Sequence, residues 1–184
     1  MPKTPPWQAS ILEEHFEELQ MLFELRQSSI RDLDYEASDL RELDERIEAH
    51  TDGLILGGEH AQPLLEEALA GGEASVVFAA AYVLLRRDDE ESAIMVVDAL
   101  ESAEEEEQIK GLADALCYGP ISLVSHRLNE MLNNSNASLA VAAATALAFH
   151  QQLPKQSKDL VRLFTDDDPA VRAAAWNVVA LLGE

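Results

Sequence analysis

"VVFAAAYVLL" at residues 76–85 is the first of four ten-residue segments that share one apolar pattern. The other three are IKGLADALCY at 109–118, LAVAAATALA at 139–148 and VRAAAWNVVA at 171–180. Each segment opens with a branched aliphatic residue and has an alanine four positions later: Ala80, Ala113, Ala143 and Ala175. The starts are separated by 33, 30 and 32 residues, a spacing that holds two short helices and two turns. The segments therefore predict four copies of a helical hairpin.

A partner helix is predicted before each of these segments. Apolar residues at helical spacing begin at Gln62, Ser92, Ile121 and Ser157. Glycine, proline, asparagine and aspartate separate the helices, and Asn136 and Ser157 are the expected N-caps. Small alanines allow neighbouring helices to approach closely. The pattern predicts an all-α protein in which helix pairs stack into a solenoid.

The last copy resembles a HEAT repeat. Its sequence DDPAVRAAA contains the residues that often open the second helix of such repeats, here Asp167, Val171, Arg172 and Ala175. The other copies differ at the arginine position, where they have Val77, Lys110 and Ala140. The resemblance covers roughly residues 61–184 and implies an α-solenoid without implying an activity.

The first sixty residues differ from the repeats and predict two longer helices. The stretch SILEEHFEELQMLFELRQSSI, from Ser10, places apolar residues on one stripe and glutamates on the other side. The next helix is expected to begin with a capping box at Ser38 and to end at Gly57 and Gly58. The ends of a helical stack need covering. We therefore expect an N-terminal helical cap at residues 1–57 and four HEAT-like repeats at 58–184.

A narrower resemblance begins at residue 33. The stretches LDYEASDLRELDERIEAHTDGLILGGEHA and LLEEALAGGEASVVFAAAYVLL resemble the N-terminal half of a bacterial HEAT-repeat family with no established activity. The matching residues of the first stretch are Tyr35, Leu40, Leu43, Arg46, His50, Asp52, Gly53 and Leu54. Members of this family tend to occur near type VI secretion genes and continue through further repeats. The resemblance implies that setting, and a short member or a fragment of the family.

Composition excludes several classes of partner. Thirteen basic and 35 acidic side chains give a net charge of −22, which repels nucleic-acid backbones and anionic membranes. The single cysteine, Cys117, cannot form an internal disulfide. The N-terminus MPKTPPWQAS lacks the apolar core of a secretory signal, and no stretch reaches the roughly 18 apolar residues of a membrane span. We therefore expect a cytoplasmic protein with neither nucleic acid nor membrane as partner.

Residues that could carry catalysis are scarce in this sequence. Iron-binding HEAT-repeat enzymes use repeated His-Glu dipeptides, and this chain has none; Glu14-His15 and Glu59-His60 are reversed and do not follow the repeat period. The remaining histidines are expected to lie on helix surfaces or at caps: His50, His126 and His150. Cys117 falls at a packed position of the repeat, where a thiol acts as a small hydrophobic group. The sequence predicts no catalytic residue, no metal site and no cofactor.

Acidic side chains are concentrated between residues 88 and 114, where eleven acids accompany one base, Lys110. One interpretation is a solvated face whose acids stabilise helix N-termini. The other is a docking surface that attracts a basic protein over a long range. The candidate partner-binding residues of this segment are Asp88, Asp89, Glu90, Glu91, Glu101, Glu104, Glu105, Glu106 and Glu107.

The final predicted helix, residues 169–182, is apolar on nearly all sides. Its inward stripe includes Val171 and Ala175, yet Ala173, Trp176 and Ala180 leave the remaining surface apolar. Because solenoids normally finish with a polar outer face, we expect that further repeats have been removed. The alternative is that this end meets another molecule, including a second copy of the chain. Trp176 is therefore a further candidate contact residue.

Function is predicted mainly from the architecture. A stack of helical hairpins presents an extended surface without an enclosed active site, which favours a non-enzymatic protein-binding scaffold or adaptor. The family resemblance connects this role with type VI secretion. Two alternatives stay open: an immunity protein that binds and blocks a toxin, and a HEAT-repeat enzyme of the phycobilin-lyase or hydroxylase type with bound pigment or iron.

Overall fold

The computed structural model describes residues 6–30, 32–153 and 158–183, which form helices joined by turns and contain no β-strand. The all-α prediction is therefore confirmed. None of the helices in these ranges combines the length and apolarity needed to cross a membrane. The α-helices are α1 Pro6–Ser29, α2 Ala37–Gly57, α3 Gln62–Leu69, α4 Ala74–Arg86, α5 Glu90–Ser102, α6 Glu106–Tyr118, α7 Ser125–Met131, α8 Ala137–Phe149 and α9 Pro169–Leu181. Short 3₁₀ helices span Gly58–His60 and Lys158–Thr165.

The four similar sequence segments form α4, α6, α8 and α9, each 13 residues long. In this series each helix contacts the next: α4 packs on α6, α6 on α8, and α8 on α9. Ala80, Ala143 and Ala175 are completely buried, and Ala113 packs partly buried against the core. The alanine positions inferred from the repeat are therefore the positions at which these helices pack.

The partner helices differ in detail from the prediction. Helix α7 begins at Ser125 rather than Ile121, because Gly119 precedes a proline and is extended, and residues 121–124 form a turn. Residues 158–165 form a 3₁₀ helix in which Leu160 and Leu163 are both buried, as side chains three apart share one side of such a helix. The predicted N-cap Ser157 lies outside the described residues.

Helices α1 and α2 pack against each other, and both contact α4. The capping box predicted at Ser38 is wrong: α2 begins after Glu36, whose backbone N–H donates to the Asp39 carboxylate at 2.9 Å. The shift arises because Asp39 is three residues after Glu36 and can reach back to it. The helix ends, as predicted, at the glycine pair, with Gly58 at a φ of 51° that favours glycine.

Helices α4 and α6 lie close together at Gly111. A Cβ atom added at Gly111 would lie 2.4 Å from the carbonyl oxygen of Ala74 and 3.1 Å from the Cβ of Val77. Any larger residue would therefore force the two backbones apart. This contact sets the separation between the first two helices of the packed series.

Candidate functional site

The N-terminal halves of α6, α8 and α9 surround an open groove of about 370 Å³, here named the α6–α8–α9 groove. Its apolar floor consists of Ile109, Ala113, Val141, Ala142, Val171 and Ala174. Its polar rim includes Glu104, Glu106, Glu107, Asn136 and Asp168. The groove therefore combines an apolar base with a mainly acidic edge.

Helix capping explains why polar side chains collect at this edge. The Asn136 side chain accepts a hydrogen bond from the Ser138 N–H at 3.0 Å, and Asp168 accepts one from the Ala170 N–H at 2.8 Å. Each helix N-terminus carries roughly half a positive charge, so the three together neutralise about one and a half carboxylate charges. Lys110 is the basic side chain that lines the groove. The rim carboxylates therefore leave the groove negative after the helix dipoles are included.

A second groove, of about 780 Å³, lies on the other side of α6, between α1 and the turn before α4. It shares Glu107 and Lys110 with the first groove, so the two form one continuous surface. Asp114 lines the second groove, where burial raises its pKa and Lys110 acts in the opposite direction. Its other carboxylates are Glu24 and Glu73.

The structure divides the acidic candidates into two surfaces. Asp88 and Asp89 precede α5, and Glu90 and Glu91 lie in its first turn. Glu104 to Glu107 follow the other end of α5, and a 13-residue helix is about 20 Å long. Asp88 has a φ of 54°, a left-handed conformation that aspartate tolerates. The Asp89 carboxylate accepts hydrogen bonds from the backbone N–H and the hydroxyl of Ser92, each at 2.8 Å. The first four acids therefore lie at the N-terminal end of α5, away from the groove.

Glu101 belongs to neither groove. Arg127 on α7 contacts its carboxylate at 2.7 Å and that of Asp98 at 2.6 Å. The hydrogen bond to Asp98 is the main reason that the pKa of Arg127 is raised. The charge of Glu101 is therefore paired within the chain.

Trp176 lies on the side of α9 that faces away from the groove. It is five residues after Val171 and two after Ala174, a spacing that places it on the opposite helical face from both. Its side chain is 62% exposed, and its ring centroid lies 4.8 Å from that of Phe164. Val161 and Leu181 are also exposed. Trp176 thus packs beside Phe164, separate from the acidic candidates.

Side chains arranged to bind a metal ion or to act as a nucleophile are sparse in the described ranges. Within them, no group of three or more histidine, cysteine, aspartate or glutamate side chains is arranged to hold a metal ion. Cys117 is buried, and burial, together with Asp114, raises the pKa of its thiol to about 12. A thiol that stays protonated at neutral pH is a poor nucleophile.

Two contacts between α2 and its neighbours were not predicted. Tyr82 donates a hydrogen bond to Glu48 at 2.7 Å, and Arg86 contacts the same carboxylate at 2.6 Å. His15 and His50 also meet, with their Nδ1 atoms 3.0 Å apart. The partners in each contact are more than 30 residues apart in sequence, so the local pattern carried no signal of either pairing.

The site best supported by geometry is the α6–α8–α9 groove with its acidic rim. Glu104, Glu106 and Glu107 are the sequence-predicted residues that line it. Glu105 is the N-cap residue of α6 and is exposed beside them. Comparison of the chain with protein-family models, with curated proteins and with solved structures finds no match.

Proposed function

We propose that this chain is a non-enzymatic protein-binding scaffold or adaptor that docks a basic amphipathic helix of a partner protein in the α6–α8–α9 groove. In this proposal residues 1–57 cap a HEAT-like solenoid formed by residues 58–184, and the protein acts in the cytoplasm. The observation that carries the proposal is a groove with an apolar floor and an acidic rim. The family resemblance suggests type VI secretion as the setting.

The groove floor accounts for the affinity in this proposal. Ile109, Ala113 and Ala174 are the partly exposed apolar residues of the floor, and covering apolar surface contributes about 25 cal/mol per Å². Amphipathic helices commonly bind by placing one apolar face into such a groove. A helical occupant keeps its backbone hydrogen bonds while its apolar face is buried.

The groove rim accounts for the choice of a basic partner. Glu104, Glu106 and Glu107 would face lysine or arginine side chains that flank the apolar face of the bound helix. The net charge of −22 adds long-range attraction, which raises association rates and weakens with salt. Nucleic acids and anionic membranes are repelled by the same charge.

Synthetic peptides test the proposal without knowledge of the natural partner. The probe is a fluorescein-labelled amphipathic helix with leucine on one face and lysine on the other; its counterpart has glutamate in place of lysine. We expect the lysine peptide to bind, and the triple variant Glu104→Lys, Glu106→Lys, Glu107→Lys to slow its association about tenfold at low salt. Fluorescence anisotropy and stopped-flow mixing measure both effects.

A matched control separates local docking from general attraction. The variant Asp88→Lys, Glu90→Lys, Glu91→Lys makes the same change in net charge at the opposite end of α5. We expect it to retain most of the wild-type affinity, because these residues lie outside the groove. Equal losses in both triple variants, or equal binding of both peptides, would contradict the proposal.

An immunity protein that blocks a basic toxin is the second candidate, favoured by the same acidic groove. Such a protein would form a one-to-one complex with very slow dissociation, whereas a scaffold exchanges partners. Size-exclusion chromatography with light scattering, and dissociation rates of a captured partner, distinguish the two roles.

A further inference from the structure

His15 on α1 and His50 on α2 form a direct contact between the two helices of the cap. Their Nδ1 atoms are 3.0 Å apart, and the ring planes are inclined by 68°. The His15 ring lies against Gly53, where an added Cβ would be 2.9 Å from its Nε2 atom. The glycine on α2 thus leaves the space that the His15 ring occupies.

A hydrogen bond between two imidazoles depends on how many protons the pair carries. In the neutral pair one Nδ1 donates a proton and the other accepts it. A first added proton can bind the Nε2 atom of the donor ring, and the hydrogen bond remains. A second must bind the accepting Nδ1 atom, which removes the hydrogen bond and places two cations about 3 Å apart.

The charged surroundings of the pair come from the same two helices. Glu14, Glu17 and Glu18 on α1 line the cavity that contains both histidines, and Arg46 on α2 contacts Glu18 at 3.7 Å. Helix α4 packs against both helices but contributes no side chain to the lining of this cavity. Burial, then His15 and Arg46, lower the pKa of His50, and Glu18 acts in the opposite direction.

We propose that His15 and His50 form a pH-sensitive latch that holds α1 on α2 near neutral pH and releases it when the pair takes up a second proton. Release would weaken the contact that covers Leu12 and Phe16, which are buried residues of α1. It would also loosen Phe23, whose ring stacks on Phe78 of α4. This inference rests on the histidine geometry and is independent of the proposed docking function.

The direction of the pH effect follows from linkage. When the pKa of a base is lower in the folded state than in the unfolded state, acid protonates the unfolded state first. The stabilisation that the unprotonated histidine contributes is therefore fully present above the unfolded histidine pKa of about 6.5. It decreases as the pH falls toward the pKa of the folded state. The cap should consequently be tightest above about pH 7 and loosen below about pH 6.

Hydrogen exchange of α1 and α2, corrected for intrinsic rates and compared with α8, tests the latch in the intact chain. Between pH 7.5 and 5.0 we expect cap exchange in the wild type to accelerate more than in the double variant His15→Asn, His50→Asn, because uptake of the second proton by the paired histidines favours the open cap. His126→Asn on α7 serves as a control, since His126 is exposed. It should keep the wild-type profile.

Histidine titration by nuclear magnetic resonance provides a second measurement that needs no double variant. We expect the His50 signal to change at lower pH in the wild type than in His15→Asn, because the neighbouring ring disfavours a proton on His50. Independent titration of the two rings would overturn the proposal. So would cap exchange that follows the same pH profile in the wild type and the double variant.

Discussion

Replacing Gly111 by alanine tests the close packing of α4 on α6. The added Cβ would lie 2.4 Å from the Ala74 carbonyl oxygen, so relief to an ordinary contact moves the backbones by about 1 Å. Overpacking costs about 1–3 kcal/mol, and a clash with backbone favours the upper end of that range. In a helix, alanine is also more favourable than glycine by about 1 kcal/mol, which offsets part of this cost. We therefore expect Gly111→Ala to lower the free energy of unfolding by about 2 kcal/mol.

Urea unfolding followed by far-UV circular dichroism measures this loss, and thermal unfolding should show a melting temperature lower by roughly 4–8 °C for a chain of this size. Gly72→Ala is the matched control, because nothing lies within 4 Å of its added Cβ and its φ is not positive. We expect that control to change stability by less than about 0.5 kcal/mol. If Gly111→Ala were as stable as the wild type, or more stable, the close approach of α4 and α6 would be refuted.

Three further predictions concern the buried residues Ala143 and Cys117 and the partly exposed Glu48. Ala143→Leu should cost about 1–3 kcal/mol in urea unfolding, because its site is completely buried; an unchanged midpoint would contradict the repeat register. Cys117 should not react with a thiol-specific disulfide reagent until the chain unfolds, since burial raises its pKa to about 12. Burial tends to raise the pKa of Glu48, but hydrogen bonds from Arg86 and Tyr82 outweigh it and lower the pKa. The stabilisation that comes from the lowered pKa of Glu48 is present above the unfolded pKa of about 4.3 and is lost below it. The higher stability of the wild type relative to Glu48→Gln should therefore disappear as the pH falls from about 5 to 3.

The candidate site was only partly predictable. Glu104, Glu106 and Glu107 could be selected because they form a dense acidic run before an apolar helix. The run near Asp88 received the same interpretation, since composition does not reveal that α5 holds the two runs apart. The sequence also did not predict that the apolar floor forms a groove, because Val141 and Val171 come together only when α8 packs on α9.

Local sequence determined which segments become helices. The spacing that places Ala80, Ala143 and Ala175 on packed faces is a property of single helices, whose backbone hydrogen bonds join residues four apart. Tertiary packing decided which faces meet. The approach of Gly111 to Ala74 and the pairing of His15 with His50 each join residues more than 30 positions apart. Helical periodicity repeats every 3.6 residues and contains no information on such distances, so these contacts depended on how whole helices bury their apolar sides against one another.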